Sequence, residues 1–366
     1  MRVLLEDVCE RDSSNLKQSD VINCTGNYPI YGAGGYIGNV DFYHQEKAYV
    51  AVVKDGAGIG RTILLPAKSS VIGTMQYLLP KENVLPEYLC YVVRHMHLEK
   101  YFTGATIPHI YFKDYKKEEF NLSPMNEQKE IVKVLGLAEN IIESRKHELQ
   151  KLDDLIKARF VEMFGDPVAN PMRWPVKKLK ELVVQVNSGN TPKGGSEVYV
   201  DEGITFFRSQ NVWKDRLEMN DIAYIDEETH ASMRRSSLKH GDILMTKTGR
   251  INTENSSLGR AALYLGEDDA ANVNGHVYFI RLKPSVNNRF ILRILVSNEY
   301  RDLIRNVCVG GIDKRQLNKD HIEEFPIICP PDELVDEYIA LVEQVNKYKF
   351  ASFLPNPSIS QQTYIF

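Results

Sequence analysis

The strongest pattern in the chain lies in its middle. Ile131, Leu135, Ala138, Ile142, Arg145, Leu149, Leu152, Ile156, Arg159 and Met163 follow one another at alternating spacings of four and three, apolar everywhere but at the two arginines. That is the rhythm of a heptad seam, with charges filling the other helix faces. From Asn126 to Asp166 there is no proline, and the only glycines are Gly136 and Gly165. Ser123 offers an N-cap, and Pro124 suits the first helical position, where an N–H is not needed. Gly165-Asp166-Pro167 is a stop signal. The pattern predicts a helix of about 39 residues, roughly 58 Å long at 1.5 Å per residue. Its narrow seam reads as a coiled-coil or bundle spacer, because a core helix carries a wider apolar stripe.

On either side the texture changes to short apolar runs broken by Gly, Asn and Pro, which predict strands and loops. Tyr49-Val50-Ala51-Val52-Val53 and Asp242-Ile243-Leu244-Met245-Thr246 read as buried strands. The segments 85–93 and 288–295 read as short helices. The flanks also repeat one another. Leu5-Glu6-Asp7-Val8 answers Leu179-Lys180-Glu181-Leu182, and Lys54-Asp55-Gly56 answers Lys247-Thr248-Gly249. Gly104-Ala105-Thr106-Ile107 answers Val309-Gly310-Gly311-Ile312, and each flank ends in Phe, a few apolar residues and Pro (Phe120 to Pro124, Phe325 to Pro330). A repeat of this period is a duplicated domain, not a solenoid. The expected plan is an α+β chain. A first β-rich domain spans 1–124 and the long helix 125–165. A second β-rich domain spans 166–331, a second, shorter helix 332–349, and a flexible tail 350–366.

Composition adds boundaries. The 366 residues are 43% hydrophobic and 26% charged, an ordinary globular balance too long for one average core. No apolar run approaches the roughly 18 residues of a membrane span, and the start lacks the apolar stretch of a secretion signal. Five scattered cysteines (Cys9, Cys24, Cys90, Cys308, Cys329) form no Cys-x-x-Cys pair, which argues against zinc fingers and fits a reducing cytoplasm. A net charge of −4 argues mildly against nucleic acid as a partner. Locally the picture differs: Arg234 to Arg260 holds six basic residues and two acids, interleaved with Ser, Thr and Asn that suit phosphates and base edges.

Catalytic signatures are missing. Gly32-Ala33-Gly34-Gly35 and Gly56-Ala57-Gly58-Ile59-Gly60 do not match a dinucleotide fingerprint, and the latter runs into a strand instead of a helix. There is no P-loop and no Asn/Asp-Pro-Pro-Tyr/Phe. The nine histidines show no His-x-x-x-His spacing. Asp114 with Glu127-x-Lys129 is only a faint likeness to a nuclease, since Glu127 suits the positive end of the helix.

Certain motifs and their order carry a resemblance. Ile107-Pro108-His109-Ile110 precedes Ser123-Pro124-Met125-Asn126-Glu127-Gln128-Lys129-Glu130-Ile131-Val132. The helix ends in Leu152-Asp153-Asp154-Leu155-Ile156-Lys157-Ala158-Arg159-Phe160-Val161-Glu162-Met163-Phe164-Gly165-Asp166-Pro167, and Trp174-Pro175-Val176-Lys177-Lys178-Leu179 opens the second domain. With Thr248-Gly249-Arg250 and Gly259-Arg260, these resemble the specificity subunits of type I restriction-modification enzymes over roughly residues 1–349. One departure stands out. The family's second helix is about as long as its first, whereas here Pro355 and Pro357 bar its continuation.

The resemblance implies a non-catalytic subunit with two target-recognition domains that read a split, asymmetric site on double-stranded DNA. It also implies docking to modification subunits, expected to be two, and to a restriction/translocase subunit. S-adenosylmethionine, ATP and Mg would belong to those partners, and this chain would bind no cofactor or metal. Expected base readers in the first domain are Tyr31, Tyr36, Lys54, Arg61, His109, Tyr111 and Lys113. In the second they are Arg208, Gln210, Asn211, Lys247, Arg250, Asn252, Arg260, Lys314 and Arg315. The seam residues Ile131, Leu135, Ala138, Ile142, Leu149, Leu152, Ile156 and Met163 are the expected partner-binding surface. The short second helix should leave the distal half of that seam, Leu149 to Met163, open to a second copy of the chain or to Phe353, Leu354, Tyr364 and Phe366 of the tail. The competing reading is a scaffold unrelated to DNA, with two binding domains on a coiled-coil spacer.

Overall fold

The structure is a computed structural model that describes residues 1–104, 108–251, 253, 255–311 and 313–351. The chain divides into two compact units, Met1–His147 and a second beginning at Glu148, so the division falls inside the long helix Met125–Phe164. Each unit is an α+β assembly of small sheets and helices.

In the first unit, Arg2–Leu4 pairs antiparallel with Glu119–Asn121 and ties the start of the domain to its end. A four-stranded sheet follows in the order Cys9–Ser13, Met75–Pro80, Tyr49–Val53, Thr62–Leu65. All five residues of Tyr49–Val53 are buried, which explains its unbroken apolar run. Alternate side chains point to opposite faces. Val50 and Val52 pack toward the helix Pro86–His95, and Tyr49, Ala51 and Val53 toward a second core. A smaller sheet joins Gly35–Val40, Tyr28–Gly32 and Ser70–Val71, the last two parallel. The helix Met125–Phe164 is fastened by Gln128, whose amide donates to the carbonyls of Asn83 and Ser123 while its oxygen accepts from the Leu85 N–H. The glutamine of the quoted motif is thus a fully buried tie.

The second unit repeats this order of elements. Val176–Lys178 pairs with Pro326–Ile328. The main sheet runs Val183–Ser188, Val277–Leu282, Ile243–Thr246, Ala261–Leu263, and the helix Asn288–Leu295 lies where Pro86–His95 lies in the first. A second sheet again ends in a parallel pair, Ile204–Phe207 with Ala271–Val273. The second long helix, Asp332–Ala351, packs antiparallel on the distal half of the first: Arg159 bonds Glu337, the Tyr338 hydroxyl bonds the Ile156 carbonyl, and Tyr348 bonds Glu148. Phe160, Phe164, Phe290 and Tyr338 form an aromatic cluster with ring centroids 5.0–5.8 Å apart.

This corrects one expectation. The distal seam is not open to a second copy: Ile156 and Met163 are buried, Leu149 and Leu152 half-buried. An antiparallel partner that starts beside the end of the first helix covers the distal turns first. The uncovered positions are Leu135, Ala138 and Ile142 in the first unit, with Leu135 and Ile142 38% and 54% exposed, while Ile131 packs partly on that unit's core. The tail residues Phe353, Leu354, Tyr364 and Phe366 lie outside the described residues.

Candidate nucleic-acid interface

Both units end their central strand in the same loop geometry. In the first, the Ile110 N–H donates to the Lys54 carbonyl at 2.9 Å; in the second, the Leu317 N–H donates to the Lys247 carbonyl at 2.9 Å. A strand end held this way presents the following side chains at the edge of the sheet.

In the first unit the residue after Lys54 is Asp55, which accepts from Lys54 Nζ at 2.8 Å and His109 Nδ1 at 2.7 Å. Burial pushes its carboxyl up, but the hydrogen bonds from Lys54 and His109 outweigh this and hold it below the usual range. His109 and Thr103 exchange backbone hydrogen bonds at 2.8 Å; Ala105 to Ile107 between them lie outside the described residues. Tyr111 stacks on His109 at 6.4 Å, and Lys113 Nζ lies 5.3 Å from the Tyr111 ring. The turn after Lys54 also reaches the small sheet, because Arg61 donates to the Ala33 carbonyl at 3.0 Å. That hairpin carries Tyr31 and Tyr36 directly opposite one another, with the Tyr36 ring 63% exposed. The segment from Asp55 to Arg61 therefore touches both neighbours, His109 through Asp55 and the Tyr31–Tyr36 hairpin through Arg61.

In the second unit the same position opens into a small sheet, Thr248–Arg250, Lys314–Gln316 and Val309–Gly310. Arg250 and Lys314 stand opposite each other in register. Both line a hollow of about 430 Å3, together with Ser209, Thr248, Thr253, Asn255, Ser256 and Ser257. Arg250 Nε lies 3.5 Å from Asp313, and Arg315 lies on the strand beside Lys314 with its Nε buried and without a hydrogen-bond partner. Lys247 Nζ sits 5.5 Å over the Tyr278 ring. The arrangement is a polar, cation-rimmed concavity rich in hydroxyls, suited to phosphate and base-edge contacts.

Several expected readers have other work. Asn211 is fully buried: its oxygen accepts from the Arg208 N–H at 3.0 Å and its amide donates to the Glu218 carbonyl at 3.1 Å. It therefore builds its loop and is removed from the readers. Arg208 and Gln210 are both drawn to Asp221, Arg208 at 3.2 Å and Gln210 at 3.1 Å, although Gln210 remains exposed. Arg260 stacks on Trp213 at 3.9 Å and donates to the Asn255 and Ser256 carbonyls, so it braces the Ser/Thr loop instead of projecting from it. Asn252 lies outside the described residues. Sequence reasoning passed over Asp55, Ser256 and Ser257; only Asp55 had a signal, its place beside Lys54 in the repeat. Among the described residues no group of His, Cys, Asp or Glu is arranged to hold a metal ion, and no helix is long and apolar enough to cross a membrane.

Residues 1–154 match the family model described as the type I restriction modification DNA specificity domain. The chain is 24% identical over 277 residues to the type I restriction enzyme MjaVIII specificity subunit of Methanocaldococcus jannaschii, covering 71% of this chain and 64% of that protein. It is likewise 24% identical over 293 residues to the MjaIX specificity subunit of the same organism, covering 73% of this chain and 63% of that protein. The match thus spans less than two thirds of either relative's length. In fold it is similar to the type I restriction-modification S subunit of M. genitalium, with a TM-score of 0.59 at 15% identity over 96% of this chain and 90% of that one. Over residues 1–154 the chain matches the specificity domain of type I restriction-modification enzymes, and in sequence and fold it is similar to specificity subunits of those enzymes.

Proposed function

We propose that this chain is the DNA-reading subunit of a type I restriction-modification complex and performs no catalysis itself. Each β-rich domain reads one half of a bipartite, asymmetric site. The observation that carries this reading is the repeated strand-end loop at Lys54 and Lys247, held by the same hydrogen bond but rimmed by different side chains. Two copies of one frame with unlike rims suit two unlike half-sites.

The readers in this proposal are Tyr31, Tyr36, Lys54, Arg61, His109, Tyr111 and Lys113 in the first domain. In the second they are Lys247, Arg250, Lys314 and Arg315, with Gln210 at the margin. Arginine to guanine is the usual bidentate pairing. The long helix acts as a ruler between half-sites. Its uncovered positions Leu135, Ala138 and Ile142 dock modification subunits, two in number, which bring S-adenosylmethionine, and a restriction subunit adds ATP-driven cleavage with Mg. A near-neutral subunit suits such a complex, because the partners supply further phosphate contacts. Sequencing of methylated adenines in a strain with and without the gene tests the proposal. Loss of one bipartite motif is expected, and an unchanged methylome overturns it.

A further inference from the structure

The second unit contains a charged cleft that shares no lining residue with the hollow between Arg250 and Lys314. It holds about 380 Å3 and is lined by the helix Asn288–Leu295, the distal half of the first long helix and the second long helix. Lys157 is matched by Asp154 at 3.1 Å, and Lys349 by Asp153. Three other lining cations, Lys214, Arg289 and Arg293, have no ion-pair partner among the described residues; the remaining lining acids are Asp215 and Glu299. Arg289 and Arg293 lie four residues apart on one helix, which puts them on the same face. The Nε of Arg293 is buried without a hydrogen-bond partner, an uncompensated cost unless a ligand supplies the acceptor.

Asp215 shares the cleft and is held in a left-handed backbone conformation with φ 60°. Asp215, Leu263 and Arg289 also line a neighbouring hollow of about 550 Å3, whose other walls include Phe207, Leu217 and Tyr264. A pair of guanidinium groups whose charge is met in the cleft by Asp215, without an ion pair, lies beside an apolar-walled hollow and fits a molecule with an oxyanion at one end and a flat or apolar body at the other.

We propose that this double cleft binds a phosphorylated small molecule of the nucleoside-phosphate class. Arg289 and Arg293 seat the phosphate oxygens, Asp215 accepts from a hydroxyl or amino group of the ligand, and Phe207, Leu217 and Tyr264 flank its body. The site and the DNA reading fail separately, because ATP titration of the free chain and its arginine variants needs neither a recognition sequence nor partner subunits.

Calorimetric titration of the full chain with ATP, pyrophosphate and adenosine is the experiment. Saturable binding of ATP is expected, with adenosine much weaker. The Arg289→Met/Arg293→Met double variant should lose about tenfold or more in ATP affinity, with an unchanged melting curve in the absence of ligand. Arg289→Met alone serves if the double variant fails to fold. Asp215→Asn keeps a residue that tolerates the left-handed conformation and removes a like charge, so pyrophosphate should bind several-fold tighter. No ATP binding, or binding indifferent to the arginine variants, overturns the proposal. So does displacement of ATP by random-sequence duplex DNA whose own affinity falls in the same variants, which would make the cleft a DNA phosphate contact.

Discussion

At Lys54 and at Lys247 the two units make the same backbone hydrogen bond, and from the next residue onward they part. The first continues with Asp55, hydrogen-bonded to Lys54 and His109, the latter stacked on Tyr111. The second continues with Thr248 and opens a hydroxyl-rich hollow between Arg250 and Lys314. Even the glycine that follows is required for different reasons. Gly56 adopts φ 95° with open space around it, whereas a Cβ on Gly249 would stand 2.3 Å from the Leu258 nitrogen. The frame repeats because strands and helices must bury the same faces. The tips, beyond the shared sheets, carry different side chains, and on the function proposed above that suits one frame to two unlike half-sites.

A second contrast sets the two halves of the long helix apart, and it yields the largest expected effect. Phe160 of the distal half is 2% exposed inside the aromatic cluster, while Ile142 of the proximal half is 54% exposed. Phe160→Ala should cost about 3–5 kcal/mol in denaturant unfolding of the isolated chain. Ile142→Ala should stay within about 0.5 kcal/mol. Equal costs would mean that the second helix does not cover the distal half. The glycines come next. Gly249→Ala should destabilise by about 1–3 kcal/mol through overpacking, and Gly249→Asn by no less. Gly56→Ala should cost about 1–2 kcal/mol for its left-handed backbone, with Gly56→Asn recovering part of it. Rescue by Asn at both positions, or at neither, would break the contrast.

The smallest stability effect concerns acid. Asp55 has a folded pKa below its unfolded value, so its contribution is fully present above the unfolded carboxylate value near about 3.9 and is lost as pH falls through the lower folded value. Thr248, its counterpart, does not titrate there. Asp55→Asn should flatten the acid limb of the first unit's stability by about 1 kcal/mol or less. Amide exchange of the first unit, followed against pH, checks this, and an unaltered limb would remove the ion pair from the account.

The long helix and the duplication were legible because a seam and a buried strand repeat the same apolar spacing wherever they occur, as in Ile131 to Met163 and Tyr49 to Val53. Which half of the seam is covered was not legible, since it depends on where an antiparallel partner begins. Lys54 and Lys247 could be picked as residues just past buried strands, whereas the strand pairing that sets Arg250 opposite Lys314 has no sequence signal. Asn211, Arg208 and Arg260 look identical in sequence to exposed readers. Their partners Asp221, Glu218 and Trp213 reach them only through loop geometry, and residue type alone does not reveal a satisfied amide or a stacked guanidinium.

The central claim is that each unit's strand-end loop reads its own half of one bipartite site. Methylome sequencing of strains carrying Arg250→Ala/Lys314→Ala or His109→Ala/Tyr111→Ala tests it most directly. A base-reading arginine is worth about 1–3 kcal/mol of discrimination. The first variant should relax or abolish recognition in one half-site and leave the other half and the gap unchanged, and the second should do the reverse. Relaxation of the same half by both variants, or of neither half by either, would contradict the account.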